Sequence, residues 1–135
     1  MNKGGNAMDI TVRRFAQEDG DAILSLGKRE RWETPVRRPE EYRQVLRDSY
    51  TLVAEADGAF AGYARAISDG LVTTFLCELL VEPAFRKKGV ASRLVDAVQA
   101  AFPLTRMDLI SDADGFYRKN RFRKIGNGFR RGAGE

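Results

Sequence analysis

The chain has 135 residues, 43% hydrophobic and 31% charged, which fits one globular domain with a single core. It contains no histidine and one cysteine, Cys77. This composition excludes histidine-based catalytic triads, His-ligated zinc sites and an internal disulfide, and it predicts a metal-free protein of the reducing cytoplasm. The net charge of +4 favours anionic partners, and no stretch is apolar enough to predict a secretory signal or a membrane segment.

The N-terminal third predicts a strand followed by two helices. Residues 1–7 are polar and glycine-rich, and we expect a disordered tail or a cloning remnant before a single domain of residues 8–135. Alternation over residues 9–14 predicts a strand, and an apolar stripe predicts a helix that ends at Lys28. Residues 29–39 predict a loop, and Pro39 suits the first turn of the second helix.

Two Asp-Gly pairs in the middle of the chain predict an antiparallel meander. They separate three β-rich runs, at residues 51–56, 60–67 and 71–81. Asp-Gly favours tight hairpin turns, so the three strands should pair in chain order. Pro83 ends the last run because proline cannot donate to a strand ladder.

The C-terminal third predicts a helical crossover. The apolar period changes to that of a helix after Gly89, and Pro103 stops this helix after Phe102. A strand over residues 104–110, a short helix over 112–120 and a last strand over 122–129 follow. A strand reached through a helix implies parallel pairing, so the sheet should be mixed, with helices on both faces.

The turn from the third meander strand into the crossover helix predicts an anion site. The first N–H groups of a helix lack internal partners, and the helix dipole adds positive charge there. Gly89 and Ala91 let a ligand approach the backbone, and Arg86, Lys87 and Lys88 add full charges. The pattern is neither a Walker A loop nor a dinucleotide fingerprint, and it favours a phosphate or pyrophosphate over a merely solvated basic helix start.

This stretch resembles the acetyl-CoA-binding motif of the GNAT superfamily of N-acetyltransferases. That motif is Arg or Gln, two residues, Gly, one residue, then Gly or Ala, and a Val-x-Pro entry often precedes it. The chain has Arg86-x-x-Gly89-x-Ala91 after Val81-x-Pro83. A second family motif resembles Phe116-Tyr117 followed shortly by Phe122, although Arg121 stands where the family usually has glycine and an asparagine near the helix start is missing.

The resemblance implies a fold and a cosubstrate site. The fold would be an α/β (α+β) GNAT-like domain, with a mostly antiparallel sheet of six to seven strands, about four helices and a splayed central strand pair. The cosubstrate would be acetyl-CoA. Its pantetheine would lie along the backbone of Leu79 and Val81, and its pyrophosphate would bind the loop and helix start, at Arg86, Lys87, Lys88, Gly89, Val90, Ala91 and Ser92.

The resemblance also implies catalytic residues. Tyr117 matches the family tyrosine that protonates the departing thiolate, although the same residue could simply pack in the core. The base that accepts the amine proton could be Glu78, if a β-bulge alters the alternation there, or water relayed to a more distant carboxylate; Glu33 is a weaker candidate. Cys77 lacks an activator and is expected to be a small core residue.

Two residues, Trp32 and Arg65, are candidates for contact with the acceptor. Trp32 lies where the family's variable acceptor loop falls, and it could equally pack the helix pair. Arg65 could meet an acceptor carboxylate, and the arginines near Trp32 hint at an acidic acceptor. We expect a small-molecule or peptide amine as acceptor, a monomer or homodimer, and no membrane partner. The alternatives are a CoA-binding or sensing module without catalysis and a basic nucleic-acid-binding protein, although no nucleic-acid motif is present.

Overall fold

A computed structural model of the chain describes residues 8–135, so the predicted tail of residues 1–7 lies outside the described residues. Its sheet has five strands that follow chain order. β1 to β4 are antiparallel, and β5 pairs with β4 in parallel. The strands are β1 Ile10–Arg14, β2 Tyr50–Ala56, β3 Ala59–Ser68, β4 Thr73–Val81 and β5 Arg106–Asp108.

Helices cover both faces of this sheet. They are α1 Gly20–Arg29, α2 Glu33–Arg37, α3 Pro39–Asp48, α4 Val90–Ala101 and α5 Asp114–Lys119. The apolar side of α4 packs with α5 against one face, whose core includes Leu94 and Val98. Side chains from α1 and α3, including Ile23 and Leu46, form a second core on the opposite face. Within residues 8–135 no helix combines the length and apolar character that a bilayer crossing would need.

The predicted fold class is confirmed, with two local differences. A short helix, α2, forms inside the predicted loop of residues 29–39. The last predicted strand, residues 122–129, forms no ladder, so the described chain has five strands rather than six to seven. Gly126 and Gly128 weaken any strand there, and Ile125 and Phe129 remain exposed, so the segment gains little burial by pairing.

The three meander strands pair in the predicted order, although β4 begins at Thr73 rather than at residue 71, and one irregularity matters for the site. Asp57 and Gly58 both adopt positive φ, which suits a tight hairpin turn between β2 and β3. Between β3 and β4, Arg65 pairs with Glu78 but the next residue, Ala66, pairs with Leu76. Cys77 is therefore the extra residue of a β-bulge, and the parity of side chains changes at this point.

Arg121 carries backbone strain that a substitution should relieve. It follows the end of α5 with φ of 71°, the left-handed conformation in which most helix-terminating residues are glycine. We expect Arg121→Gly to raise the free energy of unfolding by roughly 1 kcal/mol, measured by urea denaturation. Its contact with Asp96, 3.9 Å long and exposed, should contribute little.

Arg123 provides the matched control for this substitution. It is an exposed arginine two residues further on, and its φ is not positive. Arg123→Gly should therefore give no stabilisation. Equal effects of the two glycines would contradict the assignment of strain to residue 121.

Candidate functional site

The start of α4 is open. Gly89 precedes the helix with φ of 89°, and no side chain caps it. A Cβ atom built at Gly89 would meet nothing within 4 Å. Because the first N–H groups of a helix have no intrahelical acceptor, the amides of Gly89, Val90, Ala91 and Ser92 are available to a ligand. The Val90 side chain is buried in the core, so only its backbone can contribute.

The two parallel strands next to this helix start splay apart. β4 and β5 pair only over Thr73–Phe75 and Arg106–Asp108. From Leu76 to Val81, no strand among residues 8–135 pairs with β4 on that side. The backbone edge that includes Leu79 and Val81 therefore faces a gap that leads to the open start of α4.

The three basic residues of the loop before α4, Arg86, Lys87 and Lys88, have two different roles. Arg86 donates from Nε to the Val81 carbonyl (3.0 Å) and from a terminal nitrogen to Glu30 (2.8 Å). This guanidinium thus fastens the loop to β4 and to the end of α1, whereas we expected it at the phosphate site. Lys87 and Lys88 are exposed and form no ion pair with any residue of the described chain. The charges of Lys87 and Lys88 are therefore available to a ligand at the start of α4.

A cleft of about 250 Å³ lies at the bulge of β4. Its walls come from the splayed strand, from the residues after β5, from α5 and from the segment before α2. Glu78, Tyr117 and Trp32, which are far apart in sequence, all line it, together with Cys77, Leu79, Asp112 and Arg130. The structure therefore brings together the predicted acid, the predicted base and the predicted acceptor-side tryptophan.

Tyr117 lies half-buried in this cleft. Its ring packs edge-on against Phe116 (5.1 Å between centroids) and Phe122 (5.4 Å), which fixes the direction of the side chain. Within residues 8–135 its hydroxyl has no hydrogen-bond partner, so the proton is free to be donated. Burial and the negative charge of Asp112 raise the pKa of Tyr117 above its usual value. The hydroxyl therefore stays protonated at neutral pH.

Glu78 belongs to a polar cluster under α3. Arg65 donates to both carboxylate oxygens, from Nε to Oε1 and from a terminal nitrogen to Oε2, each at 2.6 Å. The Tyr42 hydroxyl donates to Oε1 (2.5 Å) and also contacts the hydroxyl of buried Tyr63 (2.7 Å). The cluster ends at Ser49, which accepts from Arg65 at 3.0 Å.

Glu78 keeps part of its hydrogen-bonding capacity unused. An ionised carboxylate has about four acceptor sites. Oε1 accepts from Arg65 and Tyr42, whereas Oε2 accepts from Arg65 alone. One acceptor site on Oε2 therefore remains. Desolvation and the neighbouring Glu78 charge raise the pKa of Tyr42, so its hydroxyl remains a donor.

Three of the arginines that could meet an acidic acceptor, Arg29, Arg37 and Arg65, are paired with acids within the protein. Arg65 has its charge balanced by Glu78, and this pairing outweighs burial and raises the pKa of the guanidinium. Arg29 forms a bidentate pair with Glu82, at 2.7 Å for both contacts. Arg37 pairs with Glu33, which is exposed outside the cleft lining, and so weakens the case for that carboxylate as a base.

Sequence reasoning missed Tyr42, Tyr63 and Ser49. Tyr42 lies on the second predicted helix and Tyr63 in the predicted strand of residues 60–67, and neither position signals a polar role by itself. Their meeting depends on how α3 packs over β3 and on the parity change at Cys77, neither of which has a local signal. The expectation that Cys77 is a core residue is wrong, because this bulge residue is half-buried and lines the cleft. Burial raises the pKa of its thiol, so it stays protonated.

Comparisons with known proteins agree on one family. The family model described as "Acetyltransferase (GNAT) domain" matches residues 47–124. A search of curated protein sequences finds no match.

Three solved structures are similar over nearly the whole chain. A candidate acetyltransferase from Deinococcus radiodurans R1 is 27% identical with a TM-score of 0.72, and the match covers 91% of this chain and 88% of that one. A GNAT-family acetyltransferase from Streptococcus pneumoniae TIGR4 is 22% identical with a TM-score of 0.77, over 95% and 99%. The aminoglycoside N-acetyltransferase AAC(6')-Iy, solved with CoA, is 21% identical with a TM-score of 0.74, over 96% and 98%.

Proposed function

We propose, from the premise that the chain belongs to the GNAT acetyltransferase family, that it transfers the acetyl group of acetyl-CoA to a primary amine in a ternary complex. The observation that carries this proposal is the uncapped start of α4 at the end of a strand whose backbone edge, beyond Phe75, pairs with no other strand of the described chain. Both features suit a long anionic cosubstrate with an amide-containing arm. The enzyme would act in the cytoplasm on a small-molecule or peptide amine.

The residues at this site fit a CoA diphosphate. The amides of Gly89 to Ser92 would bind the phosphate oxygens, and Lys87 and Lys88 would balance their charge. Leu79 and Val81 would bind the pantetheine arm through their main chain. The Val81 carbonyl already accepts from Arg86, so this end of the strand is held rigid by the loop. The role of Arg86 in this proposal is therefore to hold the loop against the end of β4.

The chemistry follows from the position of Tyr117 in the cleft. Bound acetyl-CoA supplies an activated acyl group as a thioester. As the amine nitrogen forms its bond to the acyl carbon and the carbon–sulfur bond breaks, the Tyr117 hydroxyl donates its proton to the departing sulfur. A phenol whose pKa is raised by burial holds this proton until the thiolate develops.

Glu78 would serve the acceptor amine. Its remaining Oε2 acceptor site can bind an N–H of the incoming amine and take up the proton that the amine loses. Arg65 and Tyr42 hold the carboxylate in place while this occurs. The engagement of Arg29, Arg37 and Arg65 with acids means that these arginines do not support an acidic acceptor. Trp32 would form the outer wall on the acceptor side.

Titration with acetyl-CoA tests the cosubstrate site directly. Thermal unfolding should shift upward in proportion to the logarithm of ligand concentration above Kd. Replacing both loop lysines, Lys87→Ala with Lys88→Ala, should weaken binding by about tenfold or more because two charge contacts to phosphate are lost. The loss should shrink at high salt, where the charges are screened.

A pair of exposed cations elsewhere gives the matched control. Lys28→Ala with Arg47→Ala removes the same charge from α1 and α3, and binding should stay within about twofold of the unaltered protein. Turnover is then measured in a screen of candidate amine acceptors, by detecting the free thiol that acetyl transfer releases. Stabilisation without turnover on any amine would leave a CoA-binding module, and no stabilisation far above micromolar acetyl-CoA would refute the proposed site.

A further inference from the structure

Within the part of the chain that the structure describes, Arg130 is the only lysine or arginine that lines the cleft at the bulge of β4. It is exposed, and it forms no ion pair or side-chain hydrogen bond with any residue from 8 to 135. The segment that carries it crosses Ile110, since a Cβ atom built at Gly128 would lie 3.4 Å from the Ile110 side chain, which also lines the cleft. Its guanidinium is therefore placed at the cleft with its five N–H donors unused by the protein.

The other charged residues of the cleft lining are two acids, Glu78 and Asp112. Arg65 lies outside the lining and balances the charge of Glu78 through two contacts of 2.6 Å. Asp112 forms no ion pair with any described residue, Arg130 included. Burial and the charge of Asp112 raise the pKa of Tyr117, so this acid lies on the Tyr117 side of the cleft. The cleft thus offers one unpaired positive charge and one unpaired negative charge at separate places.

The size of the cleft limits what these two charges can bind. Its volume of about 250 Å³ is below the range of roughly 300 to 1,000 Å³ that is typical of pockets for drug-sized ligands. A ligand that meets both charges here is therefore small and carries an anionic group as well as a cationic one. A phosphate has about two negative charges at neutral pH, which the single charge of Arg130 would not balance. A carboxylate has one.

We infer, on the premise of the function proposed above, that the acceptor is a small amine that also bears a carboxylate, as an amino acid does, and that Arg130 binds this carboxylate. A guanidinium and a carboxylate form two parallel hydrogen bonds, so Arg130 fixes the orientation of the acceptor as well as balancing its charge. The amine arrives as a cation and is attracted to Glu78 and Asp112. Arg130 is thus a residue that determines acceptor specificity.

Trp32 allows a binding test that needs no turnover. It is the only tryptophan of the sequence and it lines the cleft, so its fluorescence should change when the cleft is filled. The protein is titrated with glycine, β-alanine, L-leucine and L-phenylalanine, and with the carboxamide of each, in the presence and in the absence of CoA. The carboxamide keeps the amine and the shape but loses the negative charge. At least one of the acids should bind about tenfold or more tightly than its carboxamide.

Substitutions of Arg130 connect this preference to the residue. Arg130→Gln should remove the preference for the acid over the carboxamide, and it should leave the Kd for acetyl-CoA unchanged. Arg130→Lys should restore part of the preference, because the charge returns without the planar fork. Arg131→Gln is the matched control, since this neighbouring arginine is also exposed but does not line the cleft, and the preference should stay.

Three outcomes would overturn the inference. They are equal binding of every acid and its carboxamide, an Arg130→Gln variant that keeps the preference, and an Arg130→Gln variant that loses affinity for acetyl-CoA instead. Failure of the proposed function looks different. A preference for the acid that depends on Arg130, without acetyl transfer to any amine, would support the carboxylate site and refute the transferase activity.

Discussion

Replacement of Tyr117 by phenylalanine is expected to lower kcat by about 100-fold or more, while the affinity for acetyl-CoA stays nearly unchanged. The ring packs against Phe116 and Phe122, and phenylalanine keeps those contacts. Only the hydroxyl is removed, and general acid catalysis at a leaving group typically contributes this much. The measurement is kcat from acceptor-dependent thiol release, with Kd for acetyl-CoA measured separately.

The pH dependence of activity should reflect the protonation of the same Tyr117 hydroxyl. A general acid acts only while protonated, so activity that depends on Tyr117 should fall as pH rises through its pKa. Burial and Asp112 raise this pKa above the usual value of about 10, which places the alkaline limb above pH 10. The phenylalanine variant should lack that limb.

Tyr50 supplies the control for this substitution. It is also half-buried and packs edge-on against another aromatic ring, Phe102, at 4.9 Å, but it does not line the cleft. Tyr50→Phe should therefore leave kcat unchanged. A Tyr117→Phe enzyme that retains half or more of the original kcat would show that the tyrosine only packs.

The parts of the site that local sequence encodes were predictable. A glycine with positive φ before an amphipathic helix, preceded by lysines, is a contiguous pattern, and it folds into the uncapped helix start. The Asp57-Gly58 turn is equally local, and it sets the antiparallel order of β2 and β3. The short pairing of β4 with β5 matches the splayed strands that the family resemblance implied.

The parts that depend on distant contacts were not predictable. The cluster at Glu78 needs Tyr42 from α3, Arg65 from β3 and the bulge at Cys77, and no single stretch encodes that meeting. Arg86 fastens the loop partly through its hydrogen bond to Glu30, which lies at the end of α1, far away in sequence. The last predicted strand is absent for a related reason, because its formation would depend on pairing with β5, which is only three residues long, and residues 122–129 form no ladder with it.

Removal of the Arg65 charge is expected to destabilise the protein by about 3 kcal/mol. Arg65 and Glu78 are only 14% and 15% exposed, and the guanidinium contacts both carboxylate oxygens at 2.6 Å. In Arg65→Met the carboxylate stays buried without its counter-ion, which is far more costly than the pair is stabilising. The free energy of unfolding from urea denaturation measures this loss.

A second substitution distinguishes an unpaired charge from lost packing. In Arg65→Met with Glu78→Gln, no charge is buried, and the glutamine oxygen can still accept from Tyr42, so more than half of the lost stability should return. The exposed pair Arg37–Glu33 has a similar distance, 2.7 Å, but both side chains are 71% exposed, so Arg37→Met should give no measurable change. If the double variant is no more stable than Arg65→Met, then Arg65 contributes through packing, and the ion pair is not what holds Glu78 at the cleft.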